Sequence, residues 1–165
     1  MVRKSKASKA KVGKRMSDLA DIFDKKYDQD AGLDAGVYQV IIVKATDDAW
    51  PDGRARIKFQ CKVLSGPKQQ TGAASEGMMC FPDLNVPGGT WTSPSYVDNE
   101  YKTAEQQKLL SKKSLHSLLK SLNWTAEDGT DFGNLAKYVG LKGTVKISYK
   151  IKDGEVSPFA TYYWQ

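Results

Sequence analysis

The run GRARIKFQCKV, Gly53 to Val63, decides the fold. Ala55, Ile57, Phe59, Cys61 and Val63 share one parity, and Arg54, Arg56, Lys58, Gln60 and Lys62 share the other. Successive side chains of a strand point to opposite faces. The run therefore predicts a half-buried strand with an apolar side turned inward and a row of cations turned outward.

On the N-terminal side, DDAWPDG (47–53) is a turn cluster, and GVYQVIIVKAT (36–46) is almost wholly apolar. The second of these predicts a strand buried on most of both faces. On the C-terminal side, SGPKQQTGAASEG (65–77) predicts a long loop of small residues, and MMCFPDL (78–84) a short third strand ending at Pro82. The stretch from Asn85 to Tyr101 is irregular, broken by prolines and a glycine pair.

A helix follows. TAEQ (103–106) has capping-box spacing, and Leu115, Leu118, Leu119 and Leu122 fall on one stripe. FGNLAKYVG (132–140) predicts a second short helix with Phe132, Leu135, Ala136 and Val139 on one face and Gly140 beyond its end. LKGTVKISYKI (141–151) is the fourth strand, with Leu141, Val145, Ile147, Tyr149 and Ile151 inward. Lys142, Lys146, Lys150 and Lys152 point the other way. Lys152–Glu155 is an Asp-Gly hairpin turn. VSPFATYYW (156–164) is the fifth strand, whose Pro158 requires an edge position or a bulge. Trp124 and the cluster Tyr162, Tyr163, Trp164 are expected in the core.

Charge is unevenly placed. Of the net +6, residues 1–15 supply +7, from Arg3, Lys4, Lys6, Lys9, Lys11, Lys14 and Arg15, so the rest of the chain carries −1. Residues 1–16 are expected to be a disordered basic tail, able to add phosphate contacts without sequence preference. Residues 17–35 hold a short amphipathic helix around Leu19, Ile22 and Phe23, followed by an acidic linker. The domain proper is expected to span 36–165. No signal-peptide core or membrane-length apolar run is present, and Cys61 and Cys80 do not make a disulfide framework. Both are expected as buried, reduced thiols in a cytoplasmic protein that does not engage membranes.

Three strands, a helix and two strands is the order of a five-stranded OB-fold barrel, so the predicted class is mainly β with helices. The segments AGVYQVIIVKA (35–45), RIKFQCKVLSGP (56–67), LHSLLKSLNW (115–124) and YVGLKGTVKISYK (138–150) resemble a family of bacteriophage single-stranded-DNA-binding proteins with OB folds. The similarity runs from about Gly36 to Trp164. Its most specific points are the LSGP closing the second strand and the run from Leu141 to Ser148 opening the fourth. The resemblance implies a non-catalytic protein that coats single strands during phage DNA replication or recombination, in the cytoplasm of a bacterial host. It implies replication or recombination proteins as partners and leaves a homo-oligomer open. The loop after Pro67 is longer and less basic than that family leads one to expect. The chain closes on ATYYWQ, with no acidic run to recruit partners.

A sequence-tolerant single-strand binder needs cations along a groove and aromatic faces beside them. The candidates are Arg54, Arg56, Lys58 and Lys62 on the second strand, Trp50 in the loop before it and Phe81 on the third. Trp91, Tyr96 and Tyr101 in the following loop, with Lys146 and Lys150 on the fourth strand, complete the set. The bland alternative is an ordinary solvated sheet face. A structural or adaptor protein, docking through the 17–27 helix and the 84–101 loop, is the rival function. Catalysis has little to stand on: His116 is the single histidine, no Cys/His spacing suits a metal, and no phosphate loop is present. Asp47, Asp48 and Asp52 could serve a small nuclease but read more simply as turn formers. No cofactor is expected.

Overall fold

The computed structural model describes residues 32–91 and 93–165. The expected basic tail (1–16) and short helix (17–27) lie outside the described residues.

Among the described residues the protein is mainly β, with one α-helix. The strands are β1 (Gly36–Ala49), β2 (Ala55–Ser65), β3 (Met79–Cys80), β4 (Asp83–Asn85), β5 (Lys142–Lys152) and β6 (Glu155–Trp164); the helix α1 is Ala104–Ser121. All pairings are antiparallel, in the order β3-β2-β1-β5-β6, with β4 also on β2. The sheet curls into a half-barrel, and α1 packs against β4, β5 and β6.

The predicted third strand is present in two pieces. β3 and β4 pair with β2 in one continuing register, Met79 opposite Lys62, Cys80 opposite Cys61, and Asp83, Leu84 and Asn85 opposite Lys58, Ile57 and Arg56. Pro82 has no N–H to give to the ladder, so the pairing lapses there. The Pro82 carbonyl still accepts from the Phe59 amide at 2.8 Å, which keeps the two pieces in line.

The core follows the alternation of β2. Ala55, Ile57, Phe59, Cys61 and Val63 are all buried, alongside Tyr38, Val40 and Ile42 of β1 and Val145 and Ile147 of β5. Phe59 sits at the centre, edge-on to Tyr138 at 5.5 Å and to Trp164 at 5.7 Å between ring centroids. Leu118 and Leu122 bring the helix stripe onto this cluster, with Leu115 and Leu119 at its margin. The helix begins where the capping box predicts. The Thr103 hydroxyl accepts from the Gln106 amide at 3.1 Å, and the Gln106 side chain accepts from the Thr103 amide at 2.9 Å. Its far end is tied to β5: the Thr144 amide donates to the Ser121 hydroxyl at 2.8 Å. Gly143 is needed there, because a Cβ would lie 2.9 Å from that hydroxyl oxygen and 3.0 Å from Trp164.

Three expectations need correction. β1 is not buried on both faces: Val37, Gln39 and Val43 are exposed, because among the described residues nothing is layered outside the sheet. The 132–140 stretch forms no α-helix. It makes a single 3-10 turn, Leu135–Lys137, since Gly133 and Asn134 interrupt the start and only one turn is closed. Its core residue is Tyr138, fully buried with its hydroxyl donating to the Phe132 carbonyl at 2.6 Å, while Ala136 and Val139 are exposed. Packing continues just N-terminal to β1. Leu33 is buried, and its carbonyl accepts from the Tyr149 hydroxyl at 2.5 Å. Of the inward set of β5, Ile151 lies beyond the core and is exposed. Pro158 meets both of its expected conditions, lying on the last strand of the path and within a register irregularity of the β5–β6 ladder.

Candidate nucleic-acid interface

The outward parity of β2 emerges as expected: Lys58 and Lys62 are exposed, and Arg54, Arg56 and Gln60 are partly covered. The register also places an acid beside each cation at one end of the row. Asp48 is directly opposite Arg56 on β1, and Asp83 is opposite Lys58 on β4. The Arg56 Nε lies 2.5 Å from Asp48, and its Nη1 is 3.4 Å from Asp83. Lys58 is 4.0 Å from Asp48, and Arg54 is 2.8 Å from Asp52. The three cations at the start of the row therefore face three carboxylates. Arg56, with 18% of its side chain exposed, is a structural ion-pair centre more than an open anion site.

The aromatic residues nearby are part of the same lattice. Trp50 donates from Nε1 to the Asn85 Oδ1 at 2.6 Å, and the Arg56 guanidinium lies 3.9 Å from its ring centroid. One face of the indole is thus occupied by a cation. Tyr96 is fixed likewise, its hydroxyl donating to the Val86 carbonyl and its ring 5.8 Å from the Arg54 guanidinium. Trp91 rests against the backbone of Gly133. Tyr101 is 81% exposed just before α1. Phe81 falls on the outward parity between the buried Cys80 and Pro82 and is half-buried there. The structure therefore brings together Trp50, Arg54, Arg56, Lys58, Phe81 and Tyr96.

The carboxylates respond to these contacts in opposite directions. The Arg56 hydrogen bond holds Asp48 below its ordinary range, as the Arg54 amide does for Asp52. Burial pushes Asp83 up, against the pull of Arg56 and Lys58.

The other end of the outer face is different. A β-bulge at Val43 shifts the β1 register, so that Lys44 is opposite Gln60 on the outward side. Without it, Lys44 would share the inward parity of Tyr38, Val40 and Ile42. One step along the sheet, Met79, Lys62, Ile41 and Lys142 lie side by side on β3, β2, β1 and β5. Lys146 follows on β5, opposite Val37. Lys44, Lys62, Lys142 and Lys146 are exposed, and among the described residues none is ion-paired. Adjacent strands are ~4.8 Å apart and same-face neighbours ~6.5–7 Å apart. The four ammonium groups thus form a band across the strands, over a floor of Ile41, Val37 and Phe81. Lys62, Lys146 and Lys150 were legible as candidates; Lys44 and Lys142 were not. Lys142 had a signal in its outward parity. Lys44 had none, because its side depends on the bulge.

Among the described residues, no group of three or more His, Cys, Asp or Glu side chains is placed to hold a metal ion. Asp48 and Asp52 are engaged by Arg56 and Arg54, and Asp47 points along the opposite parity of β1. His116 is exposed on α1. Cys61 and Cys80 face each other across β2 and β3 as buried free thiols, and their mutual hydrogen bond and burial push the Cys61 thiol far up. Among the described residues, no helix is long and apolar enough to cross a membrane. No protein-family model matches the chain, and no curated protein sequence matches it.

Proposed function

We propose that this protein binds single-stranded DNA, with little dependence on sequence, on the outer face of an OB-like barrel. The strand order, with a helix between the third and fourth strands of the barrel, is compatible with that fold. The observation that carries the proposal is the band of Lys44, Lys62, Lys142 and Lys146, unpaired with acid among the described residues, over an apolar floor. Phosphates lie over the ammonium groups and displace counterions, and unstacked bases rest on the floor with Phe81 at its edge. A duplex keeps its bases stacked inside and gains only the charge contacts, so single strands are preferred. The role that follows, in line with the family resemblance, is to protect or organise single strands during phage DNA replication or recombination.

The test is a titration of a dT oligomer and a duplex of equal length, followed by tryptophan fluorescence at two salt concentrations. Preference for the single strand and weakening with salt are expected. Absence of binding to the oligomer at low salt overturns the proposal. It would favour the adaptor reading, to which the exposed Val97 (76%) and Tyr101 on the 84–101 loop belong.

A further inference from the structure

The outer face does not end at β5. The β5–β6 register sets Tyr163 opposite Lys146, Thr161 opposite Ser148 and Ala160 opposite Tyr149. Two successive outward rungs read Lys146–Tyr163 and Ser148–Thr161, ~6.5–7 Å apart. Beyond the Tyr149–Ala160 pair the ladder becomes irregular, and Lys150 and Phe159 are the next residues on the two strands there. Phe159 is 70% exposed and Tyr163 is 48% exposed. An edge strand that leaves a phenyl ring in water gains no core packing from it.

The backbone around that ring is held in place. The Phe159 amide donates to the Ser157 hydroxyl at 3.2 Å, within the register irregularity that contains Pro158. That amide and the absent N–H of Pro158 interrupt this edge as a template for another strand. Strand addition therefore does not account for the exposed aromatics. Lys146 and Lys150 have no carboxylate partner among the described residues. Cations and aromatic faces on either side of the Ser148–Thr161 rung match the chemistry of a nucleotide: phosphate on a lysine, base on a ring, and a further acceptor for Ser148 or Thr161.

We infer that Phe159 and Tyr163, with Lys146 and Lys150, form a second base-stacking platform on which a single strand continues after leaving the lysine band. The inference rests on the single-strand-binding reading above and extends it to strands long enough to cover both regions. A short oligomer is held by the central band alone, and a longer one gains the platform.

The experiment uses the full chain and dT oligomers of two lengths, one able to cover the central band and one able to reach β6. Phe159→Ala is expected to weaken the long oligomer by roughly 10-fold, one lost stacking contact, and to leave the short one unchanged. Phe159→Trp is expected to restore long-oligomer affinity, and its added indole to be quenched by the long oligomer only. Lys150→Ala is expected to lower the salt slope for the long oligomer by about 0.7 and to leave that of the short one unchanged. Equal binding of the long oligomer by wild type and Phe159→Ala, with no added quenching in Phe159→Trp, overturns the platform while single-strand binding stands. A change in oligomeric mass on Phe159→Ala with unchanged DNA affinity also overturns it, in favour of a protein contact. Failure of the wild type to bind either oligomer removes both readings.

Discussion

Replacing Lys44 and Lys62 together by alanine tests where phosphates lie. Both side chains are exposed, on adjacent strands, with no ion pair among the described residues. Their truncation should change folding stability by no more than ~0.5 kcal/mol. For a single strand, each neutralised phosphate contributes about 0.7 to the slope of log K against log salt. Two lost contacts should lower that slope by about 1.4. The same relation makes each contact worth roughly fivefold at 0.1 M salt, so the double variant should bind about 25-fold more weakly. The assay is anisotropy of a labelled dT oligomer across a salt series, with a thermal melt to verify folding. An unchanged slope in a folded double variant would refute the reasoning, since phosphates would then lie elsewhere than over Lys44 and Lys62.

Asp48→Asn acts in the opposite direction. It removes the carboxylate 2.5 Å from Arg56 and 4.0 Å from Lys58, so single-strand affinity should rise by about fivefold at 0.1 M salt and the slope should steepen by about 0.7. Acid should do the same through Asp83. Burial raises it above the ordinary 3.8, whereas Arg56 holds Asp48 below that value. As pH falls toward 3.8, Asp83 is therefore protonated first, the face gains one positive charge, and affinity measured at constant salt should rise; Asp83→Asn should abolish that rise. Gly143→Ala should destabilise the fold by ~1–3 kcal/mol in urea denaturation, because the new methyl meets Ser121, Leu122 and Trp164 within 3.0 Å.

Much of the scaffold is legible in one dimension because its signals are local. Parity alone assigns each buried residue of β2. The capping box and the leucine stripe place α1 and its inward face. Pro158 correctly demands an irregular edge, and the Asp153-Gly154 turn forms with both residues at positive φ. The misses occur where a residue's role depends on a neighbour distant in sequence. Tyr138 is buried because Phe59 and Trp124 close around it, not because of any helical period. Whether a candidate such as Phe81 reaches the outer side likewise depends on the segment keeping its register on β2 across Pro82.

The candidate site shows the same division more sharply. Alternation is a property of a single strand, so the chain by itself determines that Arg54, Arg56, Lys58 and Lys62 share a face. It does not determine which of them remain available to an anion. That depends on what stands one strand away, and only pairing brings Asp48, Asp52 and Asp83 to the arginines while leaving Lys62 beside Ile41. A one-residue bulge at Val43 then adds Lys44 to the outer face. Coulomb interactions act across a few ångströms of space, not along the chain, and the tertiary register therefore decides where on this surface positive charge is left over.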